Sequence, residues 1–219
     1  MKFILNILGF FVKAFLLIAF PFWLFLRGNI WLYETQGWNH WLAIAAMAFI
    51  VFIVVRVLVL MLWDWIAGPQ NLTRNTVKFQ KYLVGILVLG YVGITLLNLS
   101  GENAKSGKIQ KEYRELHPFI RMAVGTWIWL DGELMITDGA RVPEDYKKMG
   151  LKSKKNSLHY KQSTGYVHAM DLRTKGRGEV RNSILKGYFQ VLGFNTLRHH
   201  GTADHLHISL SVKDRPGAI

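Results

Sequence analysis

The chain has 219 residues and no cysteine, which excludes disulfides and thiolate metal sites and leaves the redox compartment open. Its 27 Lys or Arg against 14 acids give a net charge of +13, a balance that favours anionic surfaces such as phospholipid or acidic polymers. Residues 1–99 hold only Glu34 and Asp64 as acids, whereas residues 100–219 carry twenty Lys or Arg, twelve acids and seven of the eight histidines. The first part therefore reads as a lipid-embedded region and the second as a water-soluble domain, large enough for a core of its own.

Three membrane spans are expected, at about 3–26, 41–63 and 82–99. The first contains Lys13, placed to snorkel, and Pro21, placed to kink the helix. It continues past Pro21 without a small-residue cleavage site and meets Arg27, so it reads as a retained anchor rather than a signal peptide. Trp41–Trp63 is broken only by Arg56, an intramembrane charge that marks a candidate polar pathway. The loop near 67–81 holds Arg74, Lys78 and Lys81 with no acid, which places it and the N-terminus in the cytoplasm and the C-terminal domain outside. Lys105, Lys108, Lys111 and Arg114 argue the other way, with less weight because they lead into a long domain.

Gly101–Ile109 reads as a polar linker. Pro118 opens a predicted helix to Leu130, since proline suits a first helical turn, and Ile120, Ala123, Val124, Trp127 and Ile128 form its apolar face. A short strand is expected at Glu133–Thr137, a lysine-rich loop at 147–156 (Lys147, Lys148, Lys152, Lys154 and Lys155), and another strand at Val167–Leu172. Glu179–Leu192 reads as an amphipathic helix that buries Val180, Ile184, Tyr188 and Val191 and stops at Gly193. From His205 to Val212 the sequence alternates, with His205, His207, Ser209 and Ser211 on one face. The expected fold is α+β, an antiparallel sheet with helices, preceded by an all-α membrane region of about three helices.

Two imidazoles on the serine face of the last strand read as site-lining, and His-x-His on a strand is a way to present nitrogen to zinc. Asp204, in the turn before it, is placed to act as a base. A catalytic zinc needs about three protein ligands and one open position. His168 and Asp171 have opposite parity along a strand, so His159, in the preceding loop, is the better companion for Asp171. His117, His199 and His200 read as surface or helix-end residues, the last two able to form one rim of a cleft; Trp127 and Trp129 are divided between groove and core.

The stretches ITDGARVPEDY, SLHY, HAMDLR and DHLHISL, in that order, resemble the zinc D-alanyl-D-alanine carboxypeptidases and L-alanyl-D-glutamate endopeptidases of bacterial cell walls and phage lysins, a family that shares its fold with the Hedgehog signalling domain. The resemblance spans residues 110–212. It implies zinc held by His159, Asp171 and His207, Asp204 as general base, His205 near the transition state, and Arg141 on the substrate or its oxyanion. It also implies peptidoglycan peptides as substrate and, with the spans, a bacterial cytoplasmic membrane with the domain on the outer side. One departure stands out: eleven residues separate His159 from Asp171 where the family has six, read as a five-residue insertion around 162–166. His168 replacing His159, or loss of the metal, are the alternatives at that point. A non-hydrolytic zinc module recognising wall peptides or a protein partner is the second functional reading. The lysines lack interleaved aromatics and no nucleic-acid motif occurs, so nucleic acid is not an expected partner.

Overall fold

A computed structural model describes residues 2–68, 72–150, 152, 155–201 and 203–211; Lys154 and Val212 lie outside the described residues. The chain divides into two compact units, Met1–Val92 and Gly93–Ile219.

The first unit is built from α1 (Lys2–Glu34), α2 (His40–Ala67) and most of α3 (Arg74–Leu97). Three stretches, Gly9–Glu34, His40–Asp64 and Arg74–Leu97, are long and apolar enough to cross a membrane. Arg74, Lys78 and Lys81, read as loop residues, belong instead to the first turns of α3. Asn39 caps α2 by accepting the Trp41 N–H at 2.9 Å. Phe25, Ile30, Ala43 and Met47 are buried, and Gly28 leaves room for the Met47 side chain that a Cβ would strike. Phe15, Phe49, Met61, Ile86 and Leu89 face outward, the inverse of a water-soluble bundle. Arg56 reaches from α2 to the Val77 carbonyl on α3 at 3.4 Å.

The second unit takes in the last residues of α3, then α4 (Gly107–Glu112), α5 (Pro118–Leu130), β1 (Ile136–Asp138), α6 (Pro143–Lys148), β2 (Ala169–Arg173), α7 (Glu179–Leu192), β3 (Asn195–His199) and β4 (His205–Ser209). The four strands form one antiparallel sheet in the order β1-β2-β4-β3. The expected linker at 101–109 is structured: Asn103 is buried and its amide donates to the Gly132 and Leu134 carbonyls, while Ser106 caps α4. β1 starts later than the sequence placed it, because residues 132–133 complete the turn after α5.

α5 is tied to the end of α3. A Cβ on Gly125 would lie 3.3 Å from the Thr95 Cα, the buried Arg121 donates to the Leu96 carbonyl at 2.8 Å, and the Tyr113 hydroxyl shares its proton between the Thr95 and Arg121 carbonyls. α7 spans the residues expected of it but buries the other face. Asn182, Leu185, Phe189 and Leu192 are inside, while Val180, Ile184 and Val191 are 76%, 58% and 62% exposed. Asn182 is tolerated inside because its amide donates to the Thr174 and Arg177 carbonyls. Phe189 packs edge-on against Phe194, and Gly193 ends the helix at φ 106°.

Candidate metal centre

Strand pairing sets the site. In β2 and β4 Asp171 lies opposite His207, Arg173 opposite His205 and Ala169 opposite Ser209, so Asp171, His205 and His207 share one face. Met170, Leu172, Leu206 and Ile208 have the opposite parity and are fully buried core.

His159 arrives from a loop whose extra length is folded into a tight turn. The His168 N–H donates to the Leu158 carbonyl, Lys161 and Val167 form a bridge, and Gly165 turns the chain at φ 79°. The residues between His159 and Asp171 thus leave and rejoin the fold at neighbouring points, which lets the long spacing coexist with a short distance across the site. His168 goes elsewhere: its Nε2 lies 2.8 Å from the Thr164 hydroxyl and its ring packs on His117. His117 is fully buried and caps α5, a helix-end residue but not a surface one.

His159, Asp171 and His207 are each at most 5% exposed. His159 Nε2 lies 3.3 Å from His207 Nδ1 and 3.4 Å from Asp171 Oδ1, and His207 Nδ1 lies 2.8 Å from the same oxygen. A tetrahedral metal with ligand distances of about 2.0–2.1 Å requires ligand atoms about 3.3 Å apart. Two of the three edges match one face of such a tetrahedron and the His207–Asp171 edge is about half an ångström shorter, and the three donors form a group able to hold a metal ion. His159 is oriented for this role. Its Nδ1 is 2.6 Å from the Gly139 carbonyl, which can only accept, so that nitrogen carries the proton and Nε2 presents a lone pair. The donor set, two neutral imidazoles and one carboxylate, suits zinc. His207 Nε2, by contrast, is buried with no hydrogen-bond partner among the described residues.

Arg141 holds the other side of Asp171. Its guanidinium donates to Asp171 Oδ2 at 2.6 Å and to Asp138 Oδ2 at 2.9 Å, and stands 5.3 Å from the Tyr146 ring centre. Burial pushes the guanidinium down, but the two carboxylates outweigh it and its pKa is raised. Burial likewise pushes the Asp171 carboxyl up, and the interactions with His159 and His207 reverse this, holding it well below the usual range. Tyr146 also meets the Ser157 hydroxyl at 2.6 Å, and that hydroxyl accepts the His159 N–H. Asp138, the Gly139 carbonyl and the Tyr146–Ser157 pair are site components that the sequence reading did not single out; the only signal for the first two was the Asp-Gly dipeptide after a short strand.

His205 stands at the edge, its side chain 25% exposed and its Nε2 3.8 Å from Asp171 Oδ2. Its Nδ1 lies 2.6 Å from the Ala203 carbonyl, and its ring stacks on His199 at 4.7 Å. Asp204 is not brought to this group. Arg198 grips both its oxygens, at 2.5 and 2.7 Å, and Thr174 donates to Oδ1 at 2.7 Å. Arg198 is paired with Leu206 on β3–β4, the face opposite His207. The Arg198 hydrogen bonds hold the Asp204 carboxyl far below the usual carboxylate range. The turn position expected for Asp204 is right, but it points its carboxylate to Arg198 rather than to the cluster.

No protein-family model, curated protein or solved structure matches this chain.

Proposed function

We propose that this protein is a membrane-anchored zinc hydrolase that cleaves D-alanine-containing peptides of peptidoglycan. The observation that carries the reading is the buried triangle of His159, Asp171 and His207 donors with edges of 2.8–3.4 Å. The substrate class and the bacterial membrane rest on the resemblance of residues 110–212 to the cell-wall peptidases, and the outward-facing domain rests on the charges flanking the spans. Bound zinc would supply Lewis acidity and a water acidified toward neutrality.

The chain's own residues divide the remaining work. Arg141 acts as a positioning residue, fixing the Asp171 oxygen that the metal does not need and keeping the carboxylate ionised. Three of its five N–H groups go to Asp138, Asp171 and Tyr146, which leaves two for the substrate or its oxyanion. His205 is placed to move protons at the mouth of the site. With Nδ1–H donating to the Ala203 carbonyl, its Nε2 presents a lone pair, which accepts the proton of the attacking water and returns it to the leaving amine. Asp204, clamped by Arg198, braces the end of β4 instead.

The clamped Asp204 also favours a second reading, a non-hydrolytic zinc module that binds wall peptides, because the acid expected to serve as base is withdrawn. One experiment separates the two: metal content of the full-length protein in detergent, with hydrolysis of a muropeptide ending in D-alanyl-D-alanine, for the parent, His207→Ala, His205→Ala and Asp204→Asn. The hydrolase reading expects about one zinc per chain, metal lost in His207→Ala, and activity lost with metal retained in His205→Ala. Zinc without turnover of wall peptides establishes the binding module. Absence of zinc from the parent refutes both.

A further inference from the structure

Within the first unit, α2 and α3 meet at a polar point. The Arg56 guanidinium reaches the Val77 carbonyl at 3.4 Å. A helical carbonyl points toward the residue four positions on, so the guanidinium stands beside the turn of α3 that holds Gln80 and Lys81. Gln80 is 3% exposed, and neither the nitrogen nor the oxygen of its amide has a hydrogen-bond partner among the described residues. Leaving a buried amide open on both atoms is costly, and polar groups in such places hold a partner. Arg56 stands in the same position for charge. The acids of residues 1–92 are Glu34 and Asp64. Asp64 lies about 12 Å further along α2, and Glu34 precedes the start of α2, about 24 Å the other way.

The two sides of this point differ. On one, the packing is apolar: a Cβ on Gly85 would lie 3.8 Å from the Phe52 ring, and Val51 and Val84 are buried. On the other are Arg74, Lys78 and Lys81, all exposed in the first turns of α3. The uncharged run of α3 begins only after Lys81, so the crossing lies where α3 passes from the headgroup layer into hydrocarbon. An anion entering from that layer meets a lysine rim, then the guanidinium, then the buried amide. The planar guanidinium matches two phosphate oxygens, Gln80 Nε2 can donate to a third, and a headgroup hydroxyl can donate to Gln80 Oε1.

We propose that Arg56 and Gln80 form a binding site for the phosphate of an anionic phospholipid at the crossing of α2 and α3. Basic sites between spans on the cytoplasmic side suit such headgroups, and the charges flanking the spans put this end of the helices there. The proposal rests on α2 and α3 lying in a bilayer and is independent of any hydrolytic activity.

The test is native mass spectrometry of the full-length protein in detergent, titrated with phosphatidylglycerol or phosphatidylcholine. The parent is compared with Arg56→Met, Gln80→Leu, Gln80→Glu and, as a control that removes a charge from α1, Arg27→Gln. The parent should retain one phosphatidylglycerol per chain with a preference of about tenfold over phosphatidylcholine, the worth of one hydrogen bond to a charged group. Arg27→Gln should bind as the parent does, and the other three variants should lose the preference. Gln80→Leu leaves every charge in place, so loss there separates a built site from general attraction to the lysines. Gln80→Glu gives Arg56 an internal counter-charge and should keep the fold, checked by circular dichroism, while excluding the lipid. An undiminished preference in Gln80→Leu and Gln80→Glu overturns the proposal, as does an equal loss in Arg27→Gln. No preference in the parent also overturns it and leaves the crossing to water. Displacement of the lipid by millimolar inorganic phosphate overturns the lipid assignment and gives the site to the free anion.

Discussion

Zinc should raise the thermal stability of the second unit, and His207→Ala should abolish that effect. The donors already stand 2.8–3.4 Å apart, and the His159 ring is fixed by the Gly139 carbonyl, so binding requires little rearrangement of the native state. The unfolded chain leaves the same three groups far apart in sequence, so the ion binds the folded state in preference. At a free zinc concentration about 100 times the dissociation constant, the linkage contributes about 2.7 kcal/mol. For a unit of this size, about 1 kcal/mol moves Tm by about 3–5 °C, so the expected upward shift is about 8–13 °C. The assay is thermal unfolding of the full-length protein in detergent, with and without zinc, followed by near-ultraviolet circular dichroism. His207→Ala removes one of three ligands and should show no such shift. An equal shift in parent and variant would mean that zinc acts elsewhere, and no shift in the parent would refute the metal centre itself.

Asp204→Asn should cost about 1.5–3 kcal/mol at neutral pH, the worth of hydrogen bonds between charged groups, while leaving zinc content and turnover unchanged. Because the folded-state pKa of Asp204 is depressed, its contribution is complete above the unfolded value of about 3.9 and is lost as pH falls below it toward the folded value. Denaturant unfolding at pH 7 and near pH 3 should therefore show the gap between parent and variant narrowing at the lower pH; a constant gap would refute the ion-pair assignment. Gly125→Val should destabilise by about 1–3 kcal/mol, because its Cβ would press on the Thr95 backbone at 3.3 Å. Gly187→Ala, with open space at the Cβ position in the middle of α7, should stabilise by about 0.5–1 kcal/mol in the same unfolding assay, and a loss there would contradict the packing described for α7.

Much of the local structure was legible because it depends on neighbours in the chain. Pro118 and Gly193 mark helix ends whatever the rest of the molecule does, and apolar runs of more than twenty residues announce helices suited to lipid. Period-two alternation likewise put His205 and His207 on one face of the last strand. The linker was less legible, since the order at 101–109 comes from Asn103 reaching carbonyls about thirty residues away.

The sequence by itself determined which residues could meet a metal only in part: parity put His205 and His207 on one face and separated Asp171 from His168, while the set His159, Asp171 and His207 was what the resemblance to the cell-wall peptidases implied. Only the tertiary structure decided what surrounds them. Arg198 on the neighbouring strand claims Asp204, Asp138 and Asp171 together claim Arg141, and the sheet selects the Leu185–Phe189 stripe of α7 over the Ile184–Val191 one. The physical reason is common to all three. In each case the deciding partners are distant in sequence and act through burial and charge pairing that no local pattern contains.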